Sequence, residues 1–124
     1  MPDIAIGERS AAITWEDSAG AHLGVYGGEW LTQPMNDAMD PRVAAVGNDR
    51  FLLVWREGTI EQHGARAQLF DAQEIALSRA FDPAPGQEVV RVDAAGSGGK
   101  IVVGSLVATN TGLDLVTSSM SCDL

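Results

Sequence analysis

The feature that most constrains this chain is a match to itself at an offset of 40 residues. The segment Pro2-Asp3-Ile4-Ala5-Ile6-Gly7, a polar turn, and Ala11-Ala12-Ile13-Thr14-Trp15-Glu16 returns further on. Its second copy reads Pro41-Arg42-Val43-Ala44-Ala45-Val46-Gly47, a polar turn, and Phe51-Leu52-Leu53-Val54-Trp55-Arg56. At the same offset Tyr26 to Trp30 aligns with Arg66 to Phe70, and the unit closes with Met39-Asp40-Pro41 and then Phe81-Asp82-Pro83. A worn third copy follows: Val89 to Asp93 as its first strand, Gly96 to Gly99 as its turn, and Lys100 to Gly104 as its second strand. In that alignment Gly104 stands where the tryptophan stood. A fixed period near 40 residues marks units too small to bury their own apolar faces, which become stable only by stacking on their neighbours.

Within each unit the pattern is that of strands. The first segment alternates apolar and polar residues, as a half-buried strand does. Phe51 to Trp55 is continuously apolar, as a strand covered on both faces requires. Leu23 to Trp30 and Ala65 to Phe70 read as third strands, and Glu74 to Ser78 as a short polar fourth strand at an edge. Gly7-Glu8-Arg9, Gly47-Asn48-Asp49, Asp71-Ala72-Gln73 and Gly112 supply residues that tolerate tight reversals. No segment has the length and capping of a helix. The expected fold is therefore all-β: about three antiparallel four-stranded repeats, approximately 1–40, 41–82 and 83–124, stacked like β-propeller blades. The alternative is a β-sandwich. All three repeats fit one domain over residues 1–124, a length at which one core forms comfortably. Three blades leave two outer faces bare. The chain is thus expected to be a homo-oligomer, for instance two halves of a six-blade ring, or to join the remainder of a larger propeller.

The run Asp40 to Trp55, followed by Ala65-Arg66-Ala67-Gln68-Leu69-Phe70-Asp71-Ala72, resembles the tandem repeats of large bacterial secreted or surface proteins. Those repeats read P-x-V-A, a Gly or Asp turn, a strand ending in V-W, an acidic loop, and Y-x-A-R/Q-x-F/V-D-A. The first copy fits at Ile13-Thr14-Trp15-Glu16-Asp17-Ser18 and Val25-Tyr26-Gly27. This copy departs from the pattern at Arg66, where an aromatic stands in the family, and at Gly104. The resemblance covers about two thirds of the chain. It implies a propeller-like, non-catalytic module serving structure or adhesion at the cell surface or outside it.

Charge narrows the partners. The net charge is −9 and Lys100 is the only lysine, so phosphate backbones and anionic lipid would be repelled and nucleic acid is not an expected partner. No apolar run is long enough to cross a bilayer, which argues against membrane insertion. The first ten residues lack the basic start and apolar segment of an export signal. Cys122 is the lone cysteine, leaving no internal disulfide and no cysteine-based metal site.

Candidate chemistry is sparse. Glu16-Asp17-Ser18 and Glu57-Gly58-Thr59-Ile60-Glu61 place acidic side chains at one end of neighbouring units, and carboxylate clusters can hold calcium. Their spacing matches no defined calcium loop, and acidic loops are ordinarily just solvated, so no cofactor is assigned. His22 and His63 end these loops without a Cys or second His beside them, which makes neither a zinc ligand. Tyr26 and Trp30, with Glu16, Asp17, Glu57 and Glu61, form the candidate ligand-binding set for a glycan, because flat aromatic faces stack on sugars. Trp15 and Trp55 end the buried strand and are assigned to packing. Ser97-Gly98-Gly99-Lys100 satisfies the S-x-x-K pattern of serine acylases, but a glycine-rich turn cannot form the helix that chemistry needs. No catalytic set emerges; a glycosidase pair from among the four acidic residues is the least favoured reading. The expected function is a non-enzymatic module for assembly or adhesion, with a carbohydrate-binding propeller as the alternative.

Overall fold

A computed structural model describes residues 2–27, 30–35, 38–58 and 63–121. Ten strands follow one another without an intervening helix among the described residues: β1 (Asp3–Ile6), β2 (Ala11–Asp17), β3 (Gly20–Tyr26), β4 (Trp30–Met35), β5 (Met39–Gly47), β6 (Arg50–Gly58), β7 (His63–Phe70), β8 (Glu88–Ser97), β9 (Lys100–Thr109) and β10 (Gly112–Ser121). They form three antiparallel sheets whose strands neighbour each other in chain order. The first holds β1 to β4, the second β5 to β7, the third β8 to β10. None closes on itself.

The hairpins follow from local chemistry. Asn48 and Asp49 at the β5–β6 turn both have positive φ, 51° and 53°, and Gly98 and Gly99 do the same at the β8–β9 turn. Two successive left-handed residues make the reversal whose twist matches that of the flanking strands, and Asn, Asp and Gly reach it most cheaply. Ser97 and Lys100 face each other across that second turn as strand partners, so the S-x-x-K pattern sits in a hairpin.

The sheets stack face to face in chain order. The first touches the second through β5, and the second touches the third through β8, so β5 lies between β1 and β8. The second sheet is covered on both faces, and β6 shows the consequence. Phe51, Leu53 and Trp55 enter one apolar cluster with Ala5, Ala12, Leu23 and Val25 of the first sheet. Leu52 and Val54 enter another with Val89, Val92, Ile101, Val103 and Val107 of the third. Strand side chains alternate faces with period 2, so five consecutive apolar residues serve two cores at once. This is the covered strand that the unbroken run Phe51 to Trp55 predicts.

Four expectations need correction. Only the first sheet has four strands. In the second, Glu74 to Ser78 does not form a fourth strand and leaves a single bridge at Phe70–Ala76, with a further bridge beyond it at Ala67–Phe81. Leu23 to Trp30 is not one strand, because β3 ends at Tyr26 and Trp30 opens β4. The third correction concerns alignment. Trp15 lies opposite His22, whereas Trp55 lies opposite Arg66. The path from tryptophan to cross-strand partner is four residues longer in the second sheet, so Tyr26 corresponds to Phe70 and His22 to Arg66, and the aromatic position is filled. Fourth, the residue in the tryptophan place of the third sheet is Ser105. The turns Gly47–Arg50 and Ser97–Lys100 align, which sets Ile101 at Phe51 and Ser105 at Trp55. Glu61 and Cys122 lie outside the described residues.

Polar clips join the sheets at the hairpin turns. Asp49 Oδ1 accepts hydrogen bonds from Arg9 N at 2.9 Å and Ser10 Oγ at 2.6 Å, tying the β5–β6 turn to the β1–β2 turn. Gly99 N donates to Val46 O at 2.8 Å, tying the β8–β9 turn to the second sheet. Val43 N donates to Asp3 Oδ2. Arg56 pairs with Asp40 and donates to the Val89 carbonyl across the second seam.

Candidate interaction surfaces

The acidic candidates are engaged in the sheets' own structure. Asp17 pairs with His22 at 3.0 Å, and the Ala19 amide donates to it. The His22 bond, then the Ala19 amide, hold its carboxyl below the usual value. Glu57 accepts from Trp55 Nε1 at 3.1 Å and pairs with Arg66 at 3.0 Å, and Arg66 also reaches Asp82. Asp17 stands two residues after Trp15 as Glu57 does after Trp55, and each acid meets the residue opposite its tryptophan, His22 in one case and Arg66 in the other. Both sheets thus contain the same device: a tryptophan, an acid two residues on, and a nitrogen-bearing side chain across the ladder that bonds to the acid. Such a cross-strand polar pair holds two strand ends together. Glu16 Oε1 lies 3.4 Å from the Asp40 amide, spanning the seam between first and second sheets. No group of three or more His, Cys, Asp or Glu side chains that could hold a metal occurs among the described residues.

His63 has a different place from His22. Its amide donates to the Glu88 carboxylate and its ring lies 3.3 Å from the same group, so it fastens the start of β7 to the start of β8.

The aromatic candidates come together on an open surface. Tyr26 and Trp30 are partners across β3 and β4, with ring centroids 5.3 Å apart and planes tilted by 44°. Trp30 is 56% exposed. Further along the same face, Trp15 stacks on His22 at 5.2 Å, and its ring lies over Gly24, where a Cβ would meet it at 3.2 Å. Pairing of Ile4 with Ile13, and of Ile6 with Ala11, extends this surface onto β1. Ile4 and Ile6 are exposed. The face of the first sheet that points away from the second thus carries an apolar and aromatic run from Ile4 and Ile6 through Ile13 and Trp15 to Tyr26 and Trp30, with the Asp17–His22 pair at one end. The sequence reading missed this, because it assigned Trp15 to packing and did not ask which face Ile4, Ile6 and Ile13 occupy.

A second apolar surface lies at the far end of the stack. On the third sheet Ile101, Val103, Ser105 and Val107 point inward, so Val102, Gly104 and Leu106 point outward. Leu106 pairs with Leu115 and Ala108 with Leu113, and Leu113 and Leu115 are more than 60% exposed. Soluble chains seldom leave contiguous apolar patches bare, and such patches mark sites of contact.

A shallow concavity of about 340 Å³ lies beside the β1–β2 and β5–β6 turns, against Arg9, Ser10, Asp49 and Asp71, whose Asp49 carboxylate is already taken by Arg9 and Ser10. Another of about 280 Å³ opens where the first two sheets splay apart, lined by Met35, Ala38, Leu53, Trp55, Phe70 and Gln68. Its side-chain amide is already used, since Gln68 Nε2 donates to the Ser78 carbonyl. No titratable group lines it, so it lacks the convergent polar groups of a catalytic pocket. No helix among the described residues is long and apolar enough to cross a membrane. No family model matches this chain, and a search of curated proteins finds no match.

Proposed function

We propose that this chain is a non-enzymatic, propeller-like repeat module whose work is structural assembly or adhesion, carried by the two outer faces of its stack. The observation behind this reading is the pair of apolar faces, Ile4, Ile6, Ile13, Tyr26 and Trp30 at one end and Val102, Leu106, Leu113 and Leu115 at the other. A propeller-like arrangement is supported by the place of β5 between β1 and β8, and by the splaying of the sheets toward β4 and β7. Blades radiate in this way from an axis lined by their first strands. An open stack with bare ends is incomplete until something covers them. Sedimentation velocity on the full chain over a range of concentrations tests the reading: association that rises with concentration supports it, and a compact monomer at every concentration refutes it.

The exposed Tyr26–Trp30 pair favours a second reading, a carbohydrate-binding face. Two rings set at an angle beside polar strand ends suit the flat face of a sugar. A glycan array with wild type and Trp30→Ala separates the two: glycan signal lost in the variant favours sugar binding, and no signal in either favours assembly.

A further inference from the structure

Each internal seam of the stack joins two different faces, and the two bare ends are one of each. Toward the preceding sheet, the second sheet presents Val43, Leu53, Trp55 and Phe70, all buried in the first cluster. Strand register places Ile4, Ile13, Trp15 and Tyr26 at the corresponding positions of the first sheet, since Ile4 pairs with Ile13 as Val43 pairs with Leu53. These form its bare face. Toward the following sheet, the second sheet presents Leu52, Val54 and Ala65, buried in the second cluster. The first sheet presents Ala12, Thr14 and Ala21 in the same way, also buried. In the third sheet the corresponding positions are Val102, Gly104 and Leu115, and these form the other bare face together with Leu106 and, on β8, Arg91 and Asp93. The chain thus carries, unsatisfied, one copy of each half of a joint that it makes twice internally.

Resting on the assembly reading, we infer that the partner of each end is a second copy of this chain, docked head to tail. The Val102–Leu106–Leu115 face of one molecule seats the Ile4–Ile13–Trp15–Tyr26 face of the next. The occupant follows from the joint itself. Two like ends would place Trp15 and Tyr26 against Trp15 and Tyr26, a pairing used at neither internal seam. Unlike ends repeat the pairing used at both. The bare third-sheet face also has the shape for it: Gly104 stands where Val54 and Thr14 stand, and a Cβ there would touch only Leu115 Cδ1, at 3.8 Å. That leaves a shallow recess on the face that would receive the Trp15 edge. Contacts of this unlike-end kind are heterologous, and they propagate until the rotation closes a ring.

The test uses one charge at each end, on exposed side chains. Ile6→Lys marks the first-sheet face and Leu115→Lys the third-sheet face, with Ile4→Lys and Leu113→Lys as a second pair should either variant lose its native circular dichroism. Sedimentation is followed up to about 100 μM, well above the Kd of a modest interface. Head-to-tail docking predicts that wild type associates, that each variant alone sediments as a monomer, and that mixing the two yields a species of twice the monomer mass. Each variant then supplies the intact face that the other lacks, and growth stops after one joint. If wild type associates, yet one variant alone still forms a dimer and adding the other variant does not increase the amount of that dimer, the joint is between like ends. Head-to-tail docking is then overturned while the assembly reading stands. If wild type remains monomeric throughout, both fall.

Discussion

Replacing Asp49 with alanine isolates what holds the first sheet to the second at the turn end. Its Oδ1 accepts from the Arg9 amide and from the Ser10 hydroxyl at 2.6 Å, and Ser10 is buried. A hydrogen bond to a charged acceptor contributes about 1.5–3 kcal/mol when well shielded. Asp49 is half-exposed, so about 1 kcal/mol each and about 2 kcal/mol in all is the reasonable figure. Asp49 also adopts φ 53°, which alanine tolerates poorly, so Asp49→Asn is the control that keeps the turn while removing the charge. The Ser10 bond, then the Arg9 amide, hold the Asp49 carboxyl below its ordinary 3.8. A carboxyl depressed on folding takes up its proton more readily in the unfolded chain. Its contribution is therefore complete above pH 3.8 and fades as pH falls through the folded value. Urea denaturation at pH 7 should show Asp49→Ala destabilised by about 2 kcal/mol, a difference that narrows in acid, with about 1 kcal/mol of coupling to Ser10→Ala in a double-mutant cycle. A Cβ on Gly7 would lie 2.5 Å from Asp49 Oδ1, so Gly7→Ala should expel the carboxylate and add little to Asp49→Ala. Coincident urea midpoints for wild type and Asp49→Ala, or zero coupling to Ser10, would refute the clip.

Four other outcomes follow from the same geometry. Ser105 Oγ is buried and finds no hydrogen-bond partner among the described residues, so Ser105→Ala should raise the urea midpoint, by about 1 kcal/mol in stability. Trp55 is buried between sheets and Trp15 lies on the open face; Trp55→Ala should cost about 3–5 kcal/mol and Trp15→Ala in dilute solution well under half of that. Burial raises the Glu74 carboxyl above 4.5, against a smaller pull from the Val25 backbone, so its charge is disfavoured on folding and stability is lost as pH rises through the shifted value. Glu74→Gln should then gain less than about 1 kcal/mol at neutral pH and nothing below pH 4.5, as read by thermal melts at both pH values. Finally, like molecules of net charge −9 repel, so association through apolar ends should strengthen as salt shortens the screening length toward about 8 Å at physiological ionic strength; sedimentation at low and high salt reads this directly.

Much of the fold is legible in the sequence because strand periodicity is a local property. Phe51 to Trp55 announces a strand covered twice, and the Asn48-Asp49 and Gly98-Gly99 pairs announce their turns, since each depends only on neighbouring residues. What resists reading is whatever depends on the length of a connection. The longer link between β6 and β7 moves Arg66 from the Tyr26 position to the His22 position, and no residue in the loop signals that shift. In the third sheet, the one-residue difference between Gly104 and Ser105 decides which face a side chain occupies, because strands alternate. The candidate site divides in the same way. Tyr26 and Trp30 are brought together as partners on an exposed face, while Asp17 and Glu57 are bound by His22 and Arg66, residues that only the strand register identifies.

The middle sheet serves as an internal reference for what an end face is built to do. Both its surfaces pack against a neighbouring sheet, mainly through Leu, Val, Trp, Phe and Ala, with Arg66 turned to Glu57 and Asp82 and Arg56 turned to Asp40 and the Val89 carbonyl. A terminal sheet built to meet water would exchange those positions for charged side chains, as exposed sheet faces and edges do to avoid sticking. This chain has charge in abundance, with 17 acidic residues, yet spends none of it at Ile4, Ile6, Ile13, Val102, Leu106 or Leu115. Those positions keep the apolar character of their covered counterparts, and the charges on the third sheet's outward face are Arg91 and Asp93 of β8, opposite Leu106 and Gly104. Leaving them bare forgoes roughly 25 cal/mol for each Å² of apolar surface, a loss recovered only when another surface of the same kind arrives. The sheets at the two ends thus keep, at these positions, the composition of interior sheets, which is what the proposed assembly draws on.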